Sequence, residues 1–258
     1  MKKKNQFIVG IFAVFTWYKL AVFDIRQRYR RSLIGPWWFT INVAFLIGIL
    51  GLVYGQVLKQ PLREYLPYLA VGLVTWQFIS TSLLEACSIF IGSAHLIKQI
   101  QLPMMIYVCR SVFRNFLIFL HALPVLFIVL FLSDINFVPS LISVPLAIIF
   151  LGLHIVWIAA ILGFLCARFR DVIPITANVI QVLFFTTPIV WNSELLAEHR
   201  WIADFNPIHH IIECLRDPLL GNDMPIVSWG VSIGVLIVGM WAAAWMVQRY
   251  SHRIAYWV

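Results

Sequence analysis

The sequence predicts an all-α integral membrane protein, and three observations carry that prediction: composition, the spacing of apolar runs and the placement of positive charge. Of the 258 residues, 62% are apolar and only 12% charged, with a mean hydropathy of +0.89. Water-soluble domains carry about a quarter of their residues as charges, so lipid is the main solvent here. A spanning helix needs about 20 mostly apolar residues. Six stretches qualify: Trp37 to Leu58, Leu66 to Leu84, Asn115 to Leu132, Leu141 to Cys166, Ile173 to Trp191 and Ile226 to Val247. Each is uncharged, and most connections between them are short, which leaves a single transmembrane domain over 1–258. Its parts are a cytoplasmic tail and interface helix (1–35), a six-span core (36–248) and a cytoplasmic tail (249–258).

Orientation follows from Lys and Arg, which are retained on the cytoplasmic side. With the N-terminus inside, the inner segments hold 15 basic residues against 3 acids, and the outer loops hold 4 against 8. Both termini are then cytoplasmic in a multi-pass membrane protein. The net charge of +8 marks an inner leaflet facing lipid headgroups rather than a nucleic-acid surface, which would need clustered charge on a soluble scaffold. The four cysteines are scattered, three of them at inner helix ends where thiols stay reduced, so they read as small apolar fillers.

The N-terminal region is not a leader, because Lys19 interrupts the apolar run Phe7 to Tyr18 and no small-residue cleavage site follows. A seventh span would place one of two positive clusters, Lys2 to Lys4 or Arg26 to Arg31, outside. A helix lying in the membrane interface satisfies both. Phe15, Tyr18, Val22, Ile25, Tyr29 and Leu33 recur at spacings of three and four, while Lys19, Arg26 and Arg30 occupy another face. Gly35 and Pro36 end this helix and turn the chain into the first span. A lipid anchor with no moving role is the plainer alternative.

Two loops carry candidate mechanism. On the inner side, His95, Leu96, Ile97, Lys98, Gln99, Ile100, Gln101, Leu102 and Pro103 follow Ser93, a helix cap. Leu96, Ile97 and Ile100 share one face of a short helix that Pro103 stops. Such a projecting amphipathic helix suits docking into a partner's groove, or serves only as a solvated connector. On the outer side, Asn206 and Pro207 open a second short helix whose Ile208, Ile211, Ile212 and Leu215 fall at i, i+3, i+4 and i+7. Ending before Pro218, it covers about half a bilayer and is re-entrant or interfacial. His209 and Glu213 lie one turn apart without a third ligand, so no metal is assigned.

The motifs that would let this chain supply its own driving force are missing, which points to a partner as the source of energy for any work it does. His121 and His154 are the deep ionisable residues, and neither has a carboxylate nearby in sequence, which disfavours ion coupling. The phosphate-cradling G-x-x-x-x-G-K-[ST] loop is absent, as are G-x-S-x-G and H-E-x-x-H. Among the aromatic residues, Trp37, Trp38, Tyr65, Tyr68 and Trp191 sit at belt positions. Tyr54, Trp76, Phe78, Phe184 and Phe185 lie deeper and, with Trp191, are candidates for a surface on which sugar rings slide.

With these residues in hand, the chain resembles the permease subunits of polysaccharide ABC exporters, the type-2 family that moves O-antigen, capsule or teichoic acid. The likeness covers nearly the whole length. It is carried by DIRQRYRRSLIGPWWF (Asp24 to Phe39), HLIKQIQLP (His95 to Pro103), ARFRDV (Ala167 to Val172) and FNPIHHIIECLRDPLLG (Phe205 to Gly221). The resemblance implies a homodimer enclosing a channel, seated on two nucleotide-binding subunits that bind ATP and Mg, with no cofactor on this chain. It implies that Lys19, Asp24, Arg26, Arg28, Tyr29, Arg30 and Arg31 form an interface or gate helix. It implies too that His95 to Pro103 transmit ATP-driven motion, and that Asn206, Pro207, Glu213 and Arg216 belong to a periplasmic gate. Met104 and Met105 follow Pro103 where relatives often carry a basic residue. The implied substrate is a glycan on undecaprenyl diphosphate, whose phosphates the basic helix would attract. The rival readings are a drug, haem or lipid exporter and a membrane-embedded polyprenyl-lipid enzyme.

Overall fold

A computed structural model describes residues 6–133, 135, 139–193 and 199–258, with positions 139 and 140 as backbone. Lys2 to Lys4 and part of the outer loop that follows Asn192 lie outside them. The described residues form helices without a strand. Five helices are long and apolar enough to cross a membrane: α3 (Trp37–Val57), α4 (Leu62–Ala86), α7 (Met104–Phe131), α8 (Val144–Arg168, extended by a 3₁₀ turn at Pro139–Ser143) and α12 (Ile226–Tyr250). Between and around them lie α1 (Gln6–Phe12), α2 (Val14–Arg28), α5 (Ile89–Gly92), α6 (Ala94–Gln99), α9 (Val172–Thr186), α10 (Trp201–Asp204), α11 (Pro207–Leu219) and α13 (Ile254–Trp257).

Each boundary has a local cause. Gly35, at φ +64°, lets the chain reverse ahead of Pro36 and α3. At the other end of α3, Lys59 takes φ +54°, its amide bonds to Gln56 O, and that of Gln60 reaches back to Gly55 O. This is a Schellman stop with lysine where glycine is usual, and Pro61 prevents the helix from resuming. Gly51 and Gly55 bring α3 against α4: a Cβ on Gly51 would come within 2.4 Å of Leu66. Those glycines serve packing inside the chain, whereas Gly230 and Gly234 of α12 have open space beside them.

Helix α4 is the axis of the bundle, packed by α3, α7, α8, α9 and α11. Around it the outward faces of α3, α7 and α12 remain apolar and exposed, as lipid or another subunit requires, for instance Phe45, Phe127 and Trp241. His121 and His154 are hydrogen-bonded inside the bundle, His121 to Leu117 O and His154 to Trp157.

Two expectations change in detail. The apolar run from Ile173 to Trp191 is not one continuous helix. Helix α9 ends at Thr186 after 15 residues, about 22 Å long against the roughly 30 Å of hydrocarbon. Residues 187–190 continue without helix and are all buried, so irregular backbone completes the passage inside protein, the one place it is tolerated. The N-terminal interface helix is a pair, α1 and α2, bent by 63° at Ala13. Its packed face is carried by other residues than the predicted stripe: Phe7, Gly10 and Ala21 are buried, with Trp17 half-buried on Phe113 of α7, while of the stripe Val22, Ile25 and Tyr29 are half-buried and Phe15, Tyr18 and Leu33 are exposed, as a face turned to the interface requires. Gly10 is required there, because a Cβ would meet Met105 Cβ at 2.5 Å.

Candidate functional site

Three places on this frame gather polar chemistry. The first joins α2, α4 and α7 at the end of the bundle that carries most of the basic residues, called here the basic end. Asp24 accepts from Arg110 through two bonds, Nε at 2.7 Å and Nη2 at 2.5 Å, and from Arg114 Nη1 at 3.0 Å. Arg114 also reaches Glu85 at 2.6 Å, and Arg28 reaches the other oxygen of Glu85 at 2.8 Å. Three guanidinium groups thus share two carboxylates across three helices. The bidentate fork makes the Asp24 contact both strong and directional. Of the other residues assigned to the gate helix, Lys19 and Arg26 are exposed on α2, Lys19 lying 4.0 Å from the Phe15 ring; α2 stops at Arg28, short of Gly35, so half-buried Tyr29 caps it and exposed Arg30 and Arg31 lie in the turn beyond.

The second place is the segment 93–103 at the same end. Ala94–Gln99 form the short helix, Ile97 is its buried anchor and Leu96 is half-buried. Ser93 starts it without a side-chain cap. The chain then turns extended at Ile100, whose side chain swings outward and is 50% exposed rather than sharing the Ile97 face. His95, Lys98, Gln99 and Gln101 are exposed with it, and Leu102 and Pro103 are half-buried where α7 begins. The predicted tail after residue 249 is folded: α12 runs to Tyr250, the 3₁₀ turn Ser251–Arg253 continues it, and α13 lies against α6 and α8.

The third place is the opposite end, where α11 enters the bundle. Asn206 caps it as the sequence predicts, its Oδ1 accepting from the Ile208 amide at 3.0 Å, while its Nδ2 donates to Thr187 at 2.8 Å. One side chain therefore fixes α11 to the irregular segment after α9. That segment's carbonyls are served by α4. Tyr65 donates to Val190 O at 2.6 Å, and Tyr68 contacts the carbonyls of Pro188 and Trp191 at 3.1 and 2.9 Å. Pro218 does not stop α11, which continues to Leu219 and leaves through Gly221 at φ +80°. The missing proline N–H costs one bond in a turn that is already ending.

Both faces of α11 are enclosed. Ile211, Ile212 and Leu215 are buried, and so are His209, His210 and Arg216 on the polar side. His210 bridges Ser228 and Asp204 O, and Ser228 also donates to Glu213. Burial, with Arg216 nearby, pushes the His209 imidazole down to about 3, so the ring is neutral and donates to Glu213 at 3.1 Å. Among the described residues no three His, Cys, Asp or Glu side chains converge as metal ligands. Arg216 is 2% exposed, lies 4.0 Å over the Tyr68 ring, and leaves Nε and Nη2 without a hydrogen-bond partner. Its seat exists because residue 72 is glycine: a Cβ there would sit 2.6 Å from Arg216 Nη2 and 3.0 Å from Ile189 O. Arg216, Glu213 and Asp217 border a cavity of about 860 Å³, and burial with Glu213 alongside pushes the Asp217 carboxyl up to about 6.

The candidate aromatic surface is divided. Phe78 is core, between Phe116 and Phe119, and Trp76 is buried on Phe184 at 5.7 Å. Phe184 touches Phe185, which is exposed, as is Tyr54; Trp191 is half-buried and donates to Phe185 O. Sequence reasoning did not single out Arg110, Arg114, Tyr65, Tyr68 or Gly72 as site residues. The available signals were a lone acid, Asp24, in a basic helix and the Tyr68/Gly72 pair one turn apart on a spanning helix.

Comparison with known proteins adds an independent line. Residues 16–220 match the family described as ABC-2 type transporter. An O-antigen export system permease protein RfbA of Klebsiella pneumoniae is 28% identical over 205 residues, covering 78% of each chain. A second protein of that name from the same organism is 27% identical over 198 residues, covering 75% of this chain and 76% of its own. The protein of that name from Myxococcus xanthus is 22% identical over 236 residues, covering 90% and 91%.

Proposed function

This chain belongs to the ABC-2 type transporter family, and from that premise we propose that it is the membrane subunit of an ATP-driven exporter of lipid-linked polysaccharide. As a transport permease it is not itself an enzyme. ATP and Mg belong to a separate nucleotide-binding subunit, two copies of which serve a homodimer of this chain. The observation that carries the reading is the likeness, over about three quarters of the chain and more, to permeases named for O-antigen export.

The geometry supports a division of labour. The basic end is the cytoplasmic one, in accord with the positive-inside bias. There the segment 93–103 offers exposed Lys98, Ile100 and Gln101 to the ATPase subunit. Motion at that segment reaches α7 directly through Pro103, and α7 passes it to α2 and α4 through Arg110 and Arg114. At the far end the α9–α11 unit, held by neutral hydrogen bonds to α4, is the gate through which the glycan leaves. The exposed Arg26, Arg30 and Arg31 attract the carrier's diphosphate, whereas Arg28 is committed to Glu85.

The test is co-purification with an ATP-binding protein encoded beside this gene. The expected result is ATP hydrolysis only in the joint complex, and loss of surface glycan on deletion of this gene. Normal surface glycan in the deletion strain, with accumulation of another exported lipid or drug, would assign the transporter to a different substrate class. Charge reversal at Arg30 and Arg31 tests the diphosphate contact: unchanged export with normal assembly removes it.

A further inference from the structure

Beside the charge network of α2, α4 and α7 lies a cavity of about 180 Å³, well above the about 15 Å³ that one water needs. Its inner wall is one face of α7, where Tyr107, Arg110, Ser111 and Arg114 fall at i, i+3, i+4 and i+7. Tyr107 is only 2% exposed. Exposed Ser88 and Gly92, at the two ends of α5, border the cavity as well, so it is reachable from outside the bundle.

The hydrogen bonds around this space do not balance. All four carboxylate oxygens of Asp24 and Glu85 already accept from guanidinium groups. Three donors are left over: Tyr107 Oη, Arg110 Nη1 and Arg114 Nε have no hydrogen-bond partner among the described residues. Charge is left over in the same sense, because three guanidinium groups share two carboxylates and the cluster keeps one net positive charge. Buried donors of this kind need an acceptor. Water would satisfy the bonds but not the charge. The complement of spare N–H and O–H groups with spare positive charge is an oxyanion, which only accepts.

We propose that this cavity is a phosphate-binding site, in which Tyr107, Arg110 and Arg114 hold one phosphate group between α7 and α5. Bound there, the phosphate neutralises the surplus charge and ties the network to the helix that leads into segment 93–103. Guanidinium donors in a fixed fork favour a multi-oxygen anion over a halide, which offers a single point of charge. The phosphate arrives as a soluble ion or on a lipid headgroup of the inner leaflet. The site itself does not depend on the substrate proposed above; only the side from which phosphate is supplied rests on the orientation given there.

The experiment uses the full chain in a phosphate-free maltoside detergent and follows inorganic phosphate by calorimetry and by melting temperature. Neither readout involves transport, so its failure leaves the exporter reading standing, and the failure of that reading leaves the site standing. Phosphate raises the melting temperature saturably, and sodium chloride at equal ionic strength does not. Tyr107→Phe removes a hydroxyl that has no partner, so without phosphate the variant is as stable as the wild type, while its phosphate affinity falls about tenfold. Gly92→Leu adds a side chain where a Cβ meets no atom within 4 Å, leaves the donors intact and crowds the cavity, and the response to phosphate is lost. Dioctanoyl phosphatidic acid added to the micelles separates the two sources. Displacement of inorganic phosphate assigns the lipid headgroup, and undiminished binding assigns the soluble ion; either result keeps the site. If phosphate acts no better than chloride, or if the wild type and both variants bind it alike, the three donors serve water or packing and the proposal falls.

Discussion

The two ends of the bundle solve the same problem, polar groups within a largely apolar protein, by opposite means. At the basic end Asp24 and Glu85 hold Arg28, Arg110 and Arg114 in a network of full charges, and α2, α4 and α7 meet through it. At the far end Arg216 is more deeply buried yet forms no ion pair among the described residues; an aromatic face and the space above Gly72 hold it. The backbone beside it is satisfied by tyrosine hydroxyls. Charge networks are costly to break because each departing partner strands the others. Neutral hydrogen bonds exchange partners at about 1 kcal/mol each. One end is therefore held by interdependent charges, and the other by contacts that can be exchanged singly.

The sharpest way to break this contrast is Asp24→Ala. It strands Arg110, whose side chain is 18% exposed, leaves Arg114 with Glu85 alone, and costs about 3–5 kcal/mol in thermal or denaturant unfolding of the detergent-solubilised protein. Adding Arg110→Met recovers part of that loss, and a double mutant no more stable than Asp24→Ala would show that the network is not coupled. Next, Gly72→Val drives a side chain into Arg216 and the Ile189 carbonyl, an overpacking cost of about 1–3 kcal/mol, with α11 displaced. Cross-linking between cysteines placed in α4 and α11 reads that displacement. Tyr68→Phe removes the one hydroxyl proton that the Pro188 and Trp191 carbonyls share, for about 1–3 kcal/mol. Its signature is faster amide exchange confined to 187–192, and faster exchange spread through α7 as well would erase the distinction between the ends.

The smallest effect concerns protons. Asp217 titrates near 6 in the folded chain against 3.8 ordinarily. It therefore binds its proton more tightly folded than unfolded. Its stabilising contribution is full below about pH 4 and is lost as pH rises through 6. Asp217→Asn removes this slope, worth about 1 kcal/mol once solvent screening is counted. Melting curves at about pH 5 and about pH 7.5 check it; wild type should lose stability between them, and the variant should not.

Much of the fold was legible because lipid imposes a simple code. The five long helices, the positive-charge bias and the Asn206–Pro207 start of α11 all read directly from residue types. The end of α9 did not, because hydropathy continues through Thr187, Pro188, Ile189 and Val190 and cannot tell a buried helix from buried irregular chain. Thr-Thr-Pro was the available warning. The stripe on α2 told of its outward face and not of its packed one. Phe15 and Tyr18 are apolar and regularly spaced, but in a membrane the apolar residues face lipid, and the packed face is marked by small residues such as Gly10 and Ala21. The polar clusters were the least legible. Asp24 and Arg110 are 86 positions apart, and nothing local in either segment announces the other.

The burial of α4 has a consequence for how the protein is made. In that helix 72% of the apolar window is buried, against 28–39% in the other four spans, and its mean hydropathy is the lowest of the five. A segment carrying Arg63, Glu64 and Glu85, together with Gln77 and Ser80 to Ser82, is a poor candidate for entering a bilayer alone. It reaches the membrane without its final neighbours α7, α8 and α11, which are still to be synthesised. During biogenesis the hub of the finished bundle is thus its most vulnerable part, dependent on α3 or on the insertion machinery until α7 arrives with Arg114 for Glu85.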